Sequence, residues 1–219
     1  MQELLNGLIT QLKPADQAQI LRHAKLITLK VGEVLSSDVA SDSRIYFPIS
    51  GSIALYVSKN NQANTVGLGV GLIGSEGAAG LQTALGFGSG NLKMKVQSSG
   101  EAYVVEGLAA QRLVQRSKSL LLIFSQYLWT VFDKIAVLAS QPYTSVTSVR
   151  LANWLLLSAQ RCAPAPLFLT HEQIAQMLGL RRVSVSIAAN EMKKKRYISY
   201  SRGHISLLNM PALTALALG

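Results

Sequence analysis

The sequence predicts an α+β fold with a small antiparallel β-roll first, a long helix next, and a C-terminal unit of short helices and a β-hairpin. Three observations carry this prediction. Short β-prone runs fill residues 28–106, and eleven of the seventeen glycines lie within residues 67–107. Apolar side chains then repeat at spacings of three and four over residues 121–138. Finally, Gly179 interrupts two short amphipathic helical patterns.

Composition limits the class of protein. With 219 residues, 49% of them hydrophobic, the chain is too apolar for disorder and can bury one large core or two modest ones. Residues 141–219 contain nine Lys and Arg against two Asp and Glu, so this part carries +7 of the formal charge of +10. Such asymmetry predicts a polyanionic partner for the C-terminal part, either nucleic acid or an anionic membrane.

The sequence offers little for disulfide, metal or catalytic chemistry. Cys162 is the only cysteine, so it cannot form a disulfide within the chain or hold a zinc ion alone. Residues 69–74 spell G-x-G-x-x-G, but no βαβ pattern surrounds them, and turns of a β-roll are the favoured interpretation. We therefore expect no enzyme, no catalytic residues, no metal site and no bound cofactor, although an unknown small-molecule effector remains open.

The sequence also leads us to expect neither a signal peptide nor a membrane-spanning helix. Residues 1–13 lack a basic leader followed by an apolar block, and no apolar run is expected to reach the about 18 residues of a spanning helix. We expect a cytoplasmic protein that does not enter a membrane. Apolar spacing over residues 1–27 predicts a helical lead-in, with a second short helix starting at Pro14.

Residues 170–196 contain the most informative pattern. Thr170 and Gln173 have the spacing of a capping box that begins a helix of about two turns. Gly179 can adopt the left-handed conformation that ends this helix, and a second helix restarts near Arg182. Two helices joined by a short glycine-containing turn form a helix-turn-helix, whose second helix enters the DNA major groove.

Small and polar residues fit that interpretation. Ala175 and Ala188 stand where the two helices must approach closely, whereas the exposed positions of the second helix carry arginine, lysine, serine and asparagine. Two β-prone runs around Arg202 and Gly203 then predict a hairpin, which makes the unit a winged helix. The alternative is a solvated basic face on an ordinary helical hairpin.

These residues resemble the Crp-Fnr family of bacterial transcription regulators, most specifically over residues 170–208. The resemblance implies a cupin-like β-roll sensor domain of the cyclic-nucleotide-binding type over residues 1–110. It further implies a dimerisation helix over residues 111–141 and a winged helix-turn-helix DNA-binding domain over residues 142–219. RNA polymerase is an implied partner besides double-stranded DNA.

The resemblance also implies which side chains contact DNA. Arg182 matches a base-reading position, and its two-pronged donor set suits guanine. The next base-reading positions, usually polar or charged in the family, are Val183 and Ile187, which favour a contact with a thymine methyl group. The remaining expected contacts to phosphates or bases come from the second helix, the start of the first helix and the wing: Thr170, His171, Arg181, Ser184, Ser186, Asn190, Lys193 and Arg202.

The long helix predicts a dimer. Its 3-4 spacing is typical of a coiled-coil seam and favours a parallel homodimer whose helix also packs on the roll. A helix that packs only within its own chain remains the alternative. The predicted seam consists of Leu121, Phe124, Leu128, Val131, Ile135 and Leu138.

An effector site is less well defined. Glu76 stands about where family members hydrogen-bond a ribose, and Lys93 could hold a phosphate. No arginine lies between Arg44 and Arg112, although the family's cyclic-nucleotide sites use one. We therefore expect a homodimeric, sequence-specific regulator on an inverted-repeat operator that does not depend on cyclic AMP. Two alternatives remain: a cyclic-nucleotide-responsive regulator, and a sensor or scaffold module whose basic end binds protein or membrane.

Overall fold

The computed structural model describes residues 6–35, 43–57, 67–88, 90–144, 146–162, 167–201 and 203–218. Two short helices open the chain, α1 (Gly7–Thr10) and α2 (Pro14–His23). The Asn6 side chain caps α1 and also donates to the carbonyls of Pro48 and Gly77, at 2.8 and 2.7 Å. The two helices confirm the predicted helical lead-in, and the second of them starts at Pro14 as predicted.

Six strands form the β-roll as two antiparallel three-stranded sheets. Strands β1 (Lys25–Leu29), β2 (Arg44–Pro48) and β6 (Gly100–Glu106) pair in the order β1-β6-β2. Strands β3 (Ser52–Val57), β4 (Leu68–Ile73) and β5 (Leu92–Ser98) pair in the order β4-β3-β5. The G-x-G-x-x-G residues lie mostly within β4 rather than in turns, and a short 3-10 helix follows at Leu81–Leu85.

The long helical region is two helices, α3 (Gly107–Arg116) and α4 (Lys118–Thr144). Ser117 separates them with an extended backbone, and its hydroxyl accepts a hydrogen bond from the Leu120 amide at 3.2 Å, as a helix cap does. The resemblance implied one helix over residues 111–141, whereas the structure has two helices and the second continues to Thr144.

One face of α4 packs on its own roll. Phe124 is fully buried, with its ring centroid 6.3 Å from that of Phe47. The predicted seam is therefore corrected at Phe124, because this side chain is already enclosed by its own chain. Leu128 and Val131 are half-buried against the same roll, whereas Leu121 is exposed.

Another apolar face of α4 is open to solvent. Trp129 and Phe132 are 69% and 59% exposed, and their rings stack with centroids 5.2 Å apart. Leu122 and Ala136 continue this face at the same spacing, so the four residues 122, 129, 132 and 136 define what we call the α4 outer stripe. The stripe lies one position along the helix from most of the predicted seam.

By length and composition alone, α4 could also cross a membrane over Lys118–Ser140, at a mean hydropathy of 1.4. The sequence expectation that no run reaches this length is corrected here. Such a single helix is weak evidence for a membrane span, since the core helix of a soluble protein and a signal sequence pass the same test.

The C-terminal unit has four helices and a small sheet. Its helices are α5 (Thr147–Cys162), α6 (His171–Leu178), α7 (Arg182–Lys194) and a terminal α8 (Met210–Leu218). Strands β7 (Leu167–Phe168), β8 (Ile198–Ser201) and β9 (His204–Leu207) pair in the order β7-β9-β8, which confirms the hairpin and adds a strand that the sequence did not predict. Ala54 and Leu72 of the roll belong to the same core as Trp154, so the unit packs directly on the roll.

Candidate nucleic-acid interface

The first helix of the pair begins as its sequence predicts. The Thr170 hydroxyl accepts a hydrogen bond from the Gln173 amide at 3.2 Å, and the Gln173 side chain accepts one from the Thr170 amide at 2.9 Å. This reciprocal capping box satisfies two backbone donors at the start of α6. It fixes where His171, the first residue of the helix, lies.

The turn between α6 and α7 depends on Gly179. Its φ is +61°, in the left-handed region that glycine adopts without strain, and the Leu180 amide closes the turn on the Ala175 carbonyl at 2.8 Å. Arg150 of α5 donates a hydrogen bond to the carbonyl of Leu178, which has no partner further along the helix. A buried guanidinium thus holds the end of α6 on α5, a contact that sequence patterns do not reveal.

The two helices of the pair contact through small side chains, as predicted. Ala175 and Ala188 are buried, at 2% and 5% exposure. Val185 and Met192 complete the inner face of α7. Because these positions face inward, the opposite face of α7 is left in solvent.

The exposed face of α7 contains most of the predicted DNA contacts. Arg181 stands at the N-cap, Arg182 begins the helix, and both are exposed. Val183 and Ile187 are 68% and 56% exposed, which is unusual for branched apolar residues on a polar helix face. Among the remaining predicted contacts, Asn190, Lys193 and Thr170 are exposed, and Ser184 and Ser186 are half-buried.

His171 joins α6, α7 and the hairpin. Its Nδ1 lies 2.9 Å from Ser186 Oγ, and its ring stacks on Tyr200 with centroids 4.4 Å apart. Burial lowers the pKa of His171, and the nearby charge of Arg182 lowers it further. A neutral imidazole in this position joins the two helices to the wing. The sequence did not suggest that Tyr200 would contact His171 in this way.

The hairpin of the wing contacts both α7 and β7. Lys193 Nζ donates to the Tyr200 carbonyl at 3.3 Å, so this expected DNA contact is also tied to the hairpin. The Phe168 and His204 rings approach within 4.0 Å between centroids on the neighbouring strands. Arg202, predicted to contact DNA from the wing, lies outside the described residues.

Comparisons with known proteins agree with this geometry. Residues 149–216 match the Crp-like helix-turn-helix domain family. A crp/fnr-family chain from Eubacterium rectale aligns over 97% of this chain and 98% of its own, at 17% identity and a TM-score of 0.73. The C-terminal unit is therefore a Crp-like helix-turn-helix domain, and the chain as a whole has the fold of Crp-Fnr transcription regulators. These findings support DNA-binding transcription regulation.

Other Crp-Fnr structures share the fold at low identity. A CRP/FNR-family transcriptional regulator from Thermus thermophilus aligns over 89% of this chain and 99% of its own, at 20% identity and a TM-score of 0.70. FixK2 from Bradyrhizobium japonicum aligns over 88% of this chain and 96% of its own, at 14% identity and a TM-score of 0.69. No curated protein sequence matches the chain.

The structure does not bring the two expected effector residues, Glu76 and Lys93, together in one phosphate site. Glu76 forms an ion pair with Arg161 of α5 at 2.8 Å, and its carboxylate also accepts from the Gly74 amide. It lines a cavity of about 230 Å³ together with Tyr127 and Lys134. Lys93 is only 3% exposed and is not among the described residues that line this cavity, which corrects the expectation that it faces a ligand.

Among the described residues, no cluster of three His, Cys, Asp or Glu side chains suits a metal ion.

Proposed function

We propose that the protein is a homodimeric, sequence-specific transcription regulator that binds an inverted-repeat operator. The observation that carries the proposal is the exposed, basic face of α7 on a Crp-like domain, with Arg181 and Arg182 at the end that would enter the groove. Arg182 would pair with guanine through two hydrogen bonds, and Val183 or Ile187 would contact a thymine methyl group.

The α4 outer stripe supports the homodimer. Two exposed, stacked aromatic rings on a helix surface are costly in water and are buried when a second copy packs on them. A parallel pair of α4 helices would place two α7 helices about 34 Å apart, one turn of DNA, on an inverted repeat. RNA polymerase is the partner we propose at the promoter.

Independence from cyclic AMP has support in two side chains. Glu76 Oε2 already pairs with Arg161, although Oε1 has no hydrogen-bond partner among the described residues, and Lys93 is buried, so its ammonium group is not presented to a cyclic phosphate. We expect calorimetry with cyclic AMP and cyclic GMP to show no binding at micromolar concentrations.

Selection from random duplex DNA tests the proposal. The full chain should enrich an inverted repeat, and a duplex with both half-sites should bind more tightly than one with a single half-site. Affinity should fall steeply with added salt, because each phosphate contact releases counterions. Binding to anionic vesicles with no enrichment of any duplex sequence would instead favour a basic membrane module and overturn the proposal.

A further inference from the structure

A second cavity lies between the β-roll and the DNA-binding domain. Strand β4, helices α4 and α5, and the terminal helix α8 surround a volume of about 430 Å³. That volume falls within the range of about 300–1,000 Å³ that small-molecule sites occupy. We call this space the junction pocket. It is separate from the smaller cavity beside Glu76, although Lys134 lines both.

The wall of the junction pocket is mostly apolar. Its apolar lining includes Leu156 and Leu157 of α5, Leu138 of α4, and Ala217 and Leu218 of α8. Such a lining favours an apolar ligand body, because each buried methylene group contributes about 0.8 kcal/mol.

Two cations lie at one end of this pocket. Arg161 contributes a guanidinium that is largely buried, and its Nε has no hydrogen-bond partner among the described residues. Lys134 has neither an ion pair nor a hydrogen bond to any residue that the structure describes. Burial lowers the pKa of Lys134, the charge of Arg161 lowers it further, and the Glu76 carboxylate raises it. Asp133 is the acidic residue of the described lining, and it is exposed.

We propose that the junction pocket binds a small organic monocarboxylate whose apolar body lies between α4, α5 and α8. The carboxylate would accept hydrogen bonds from Lys134 and from the free Nε of Arg161. An anion satisfies the buried Nε and forms an ion pair with Lys134, whereas a neutral head group forms no ion pair and a cationic one does neither.

The position of the pocket links such a ligand to DNA binding. Arg161 belongs to the DNA-binding domain and pairs through Nη1 with Glu76 of the roll, so a carboxylate held by its Nε acts on the same guanidinium that joins the two domains. The ligand therefore changes the relative stability of the domain arrangement and, through it, the affinity for DNA. This consequence rests on the proposed function, whereas binding of the carboxylate does not.

Calorimetry on the full chain tests the site with matched pairs of probes. Octanoate and phenylacetate carry the carboxylate, and 1-octanol and 2-phenylethanol replace it with a hydroxyl group. We expect at least one acid to bind about tenfold more tightly than its alcohol, as a charge-assisted hydrogen bond provides. Lys134→Gln should weaken that acid at least about tenfold. Lys118→Gln, an exposed lysine at the start of the same helix, should leave it within about twofold.

The outcomes separate the two proposals. If neither acid binds, or if Lys134→Gln and Lys118→Gln bind the acid alike, the junction pocket is not a carboxylate site, whatever the DNA result. Leu157→Trp, which fills the apolar end, should abolish binding while a thermal melt confirms a folded chain. If the acid binds as expected but the selected duplex is not retained, the pocket assignment stands and the regulator proposal fails.

Discussion

His171 Nδ1 lies 2.9 Å from Ser186 Oγ, so the first residue of α6 is joined directly to the middle of α7. The imidazole also stacks on Tyr200 of the hairpin. One side chain therefore sets the positions of both helices and the wing relative to one another. Its Nε2 is buried and has no partner within the described residues, which makes the ring sensitive to protonation.

Replacing this ring should change how stability depends on pH. Burial and Arg182 lower the pKa of His171 below its ordinary value of 6.5, so the unfolded chain takes up the proton first as the pH falls. The contribution of His171 is fully present above about pH 6.5 and is lost as pH decreases toward the folded-state pKa. Urea denaturation between pH 7.5 and 5 should show a shallower loss for His171→Gln than for wild type. His23→Gln, at an exposed histidine, should retain the wild-type slope.

Arg182 should determine sequence preference. Arg182→Ala removes a two-pronged donor to guanine, and we expect a loss of about 1–3 kcal/mol on the selected duplex with relaxed preference at one base pair. Lys193→Ala should weaken all duplexes alike, because a lysine contacts phosphate without reading bases. Fluorescence anisotropy on selected and scrambled duplexes measures both. Equal losses on the two duplexes for Arg182→Ala would remove this arginine from the base-reading set.

A side chain at Gly179 should destabilise the turn. Its φ of +61° costs a non-glycine residue about 1–2 kcal/mol, and a Cβ there would stand 2.9 Å from Leu68 Cδ1 of the roll. We expect Gly179→Ala to lower both the free energy of unfolding and the affinity for DNA.

Gly203→Ala is the matched control for this change. Gly203 has a φ of +84° but no described atom within 4 Å of its Cβ position, so it reports strain alone. If Gly179→Ala costs no more than Gly203→Ala in urea denaturation, the close approach of the turn to the roll is unimportant. Adding Leu68→Ala to Gly179→Ala should recover part of the loss.

The α4 outer stripe should hold the dimer together. Trp129→Glu places a charge where a second copy would bury an aromatic side chain worth about 1.5–3 kcal/mol, so the dimer dissociation constant should rise at least about tenfold. Sedimentation analysis measures the change. Thr130→Glu, exposed one position away on the side that faces the smaller cavity, should stay dimeric. If Leu121→Glu dissociates the dimer and Trp129→Glu does not, the dimer interface is the seam predicted from spacing and not the α4 outer stripe.

Much of the DNA-binding domain could be predicted because its signals are local. A capping box needs only Thr170 and Gln173, a left-handed turn needs a glycine, and the inner face of α7 follows from a spacing of 3.6 residues. These features involve neighbours within one or two helical turns. The structure reproduces them, and the family match covers the same residues.

Local patterns could not predict which face of α4 packs on the roll. Leu121 to Leu138 and the outer stripe both have the 3-4 spacing, because apolar residues cover more than one face of the helix. Only the roll decides which face is enclosed: Phe124 packs on Phe47, from a strand more than seventy residues earlier in the chain, and Trp129 is left in solvent. The expectation that Lys93 faces a ligand was wrong for a similar reason. The alternation of residues along a strand does not reveal which face of β5 is covered.

The order of residues alone thus determined most element types, the turn at Gly179 and the basic outer face of α7, because each depends on short-range backbone geometry and periodicity. The tertiary structure decided what depends on distant contacts: the partner of Glu76, the carbonyl held by Arg150, the stack of His171 on Tyr200 and the junction pocket. Those pairings join residues far apart in the chain, and no local pattern encodes which of many compatible side chains the folded core brings together.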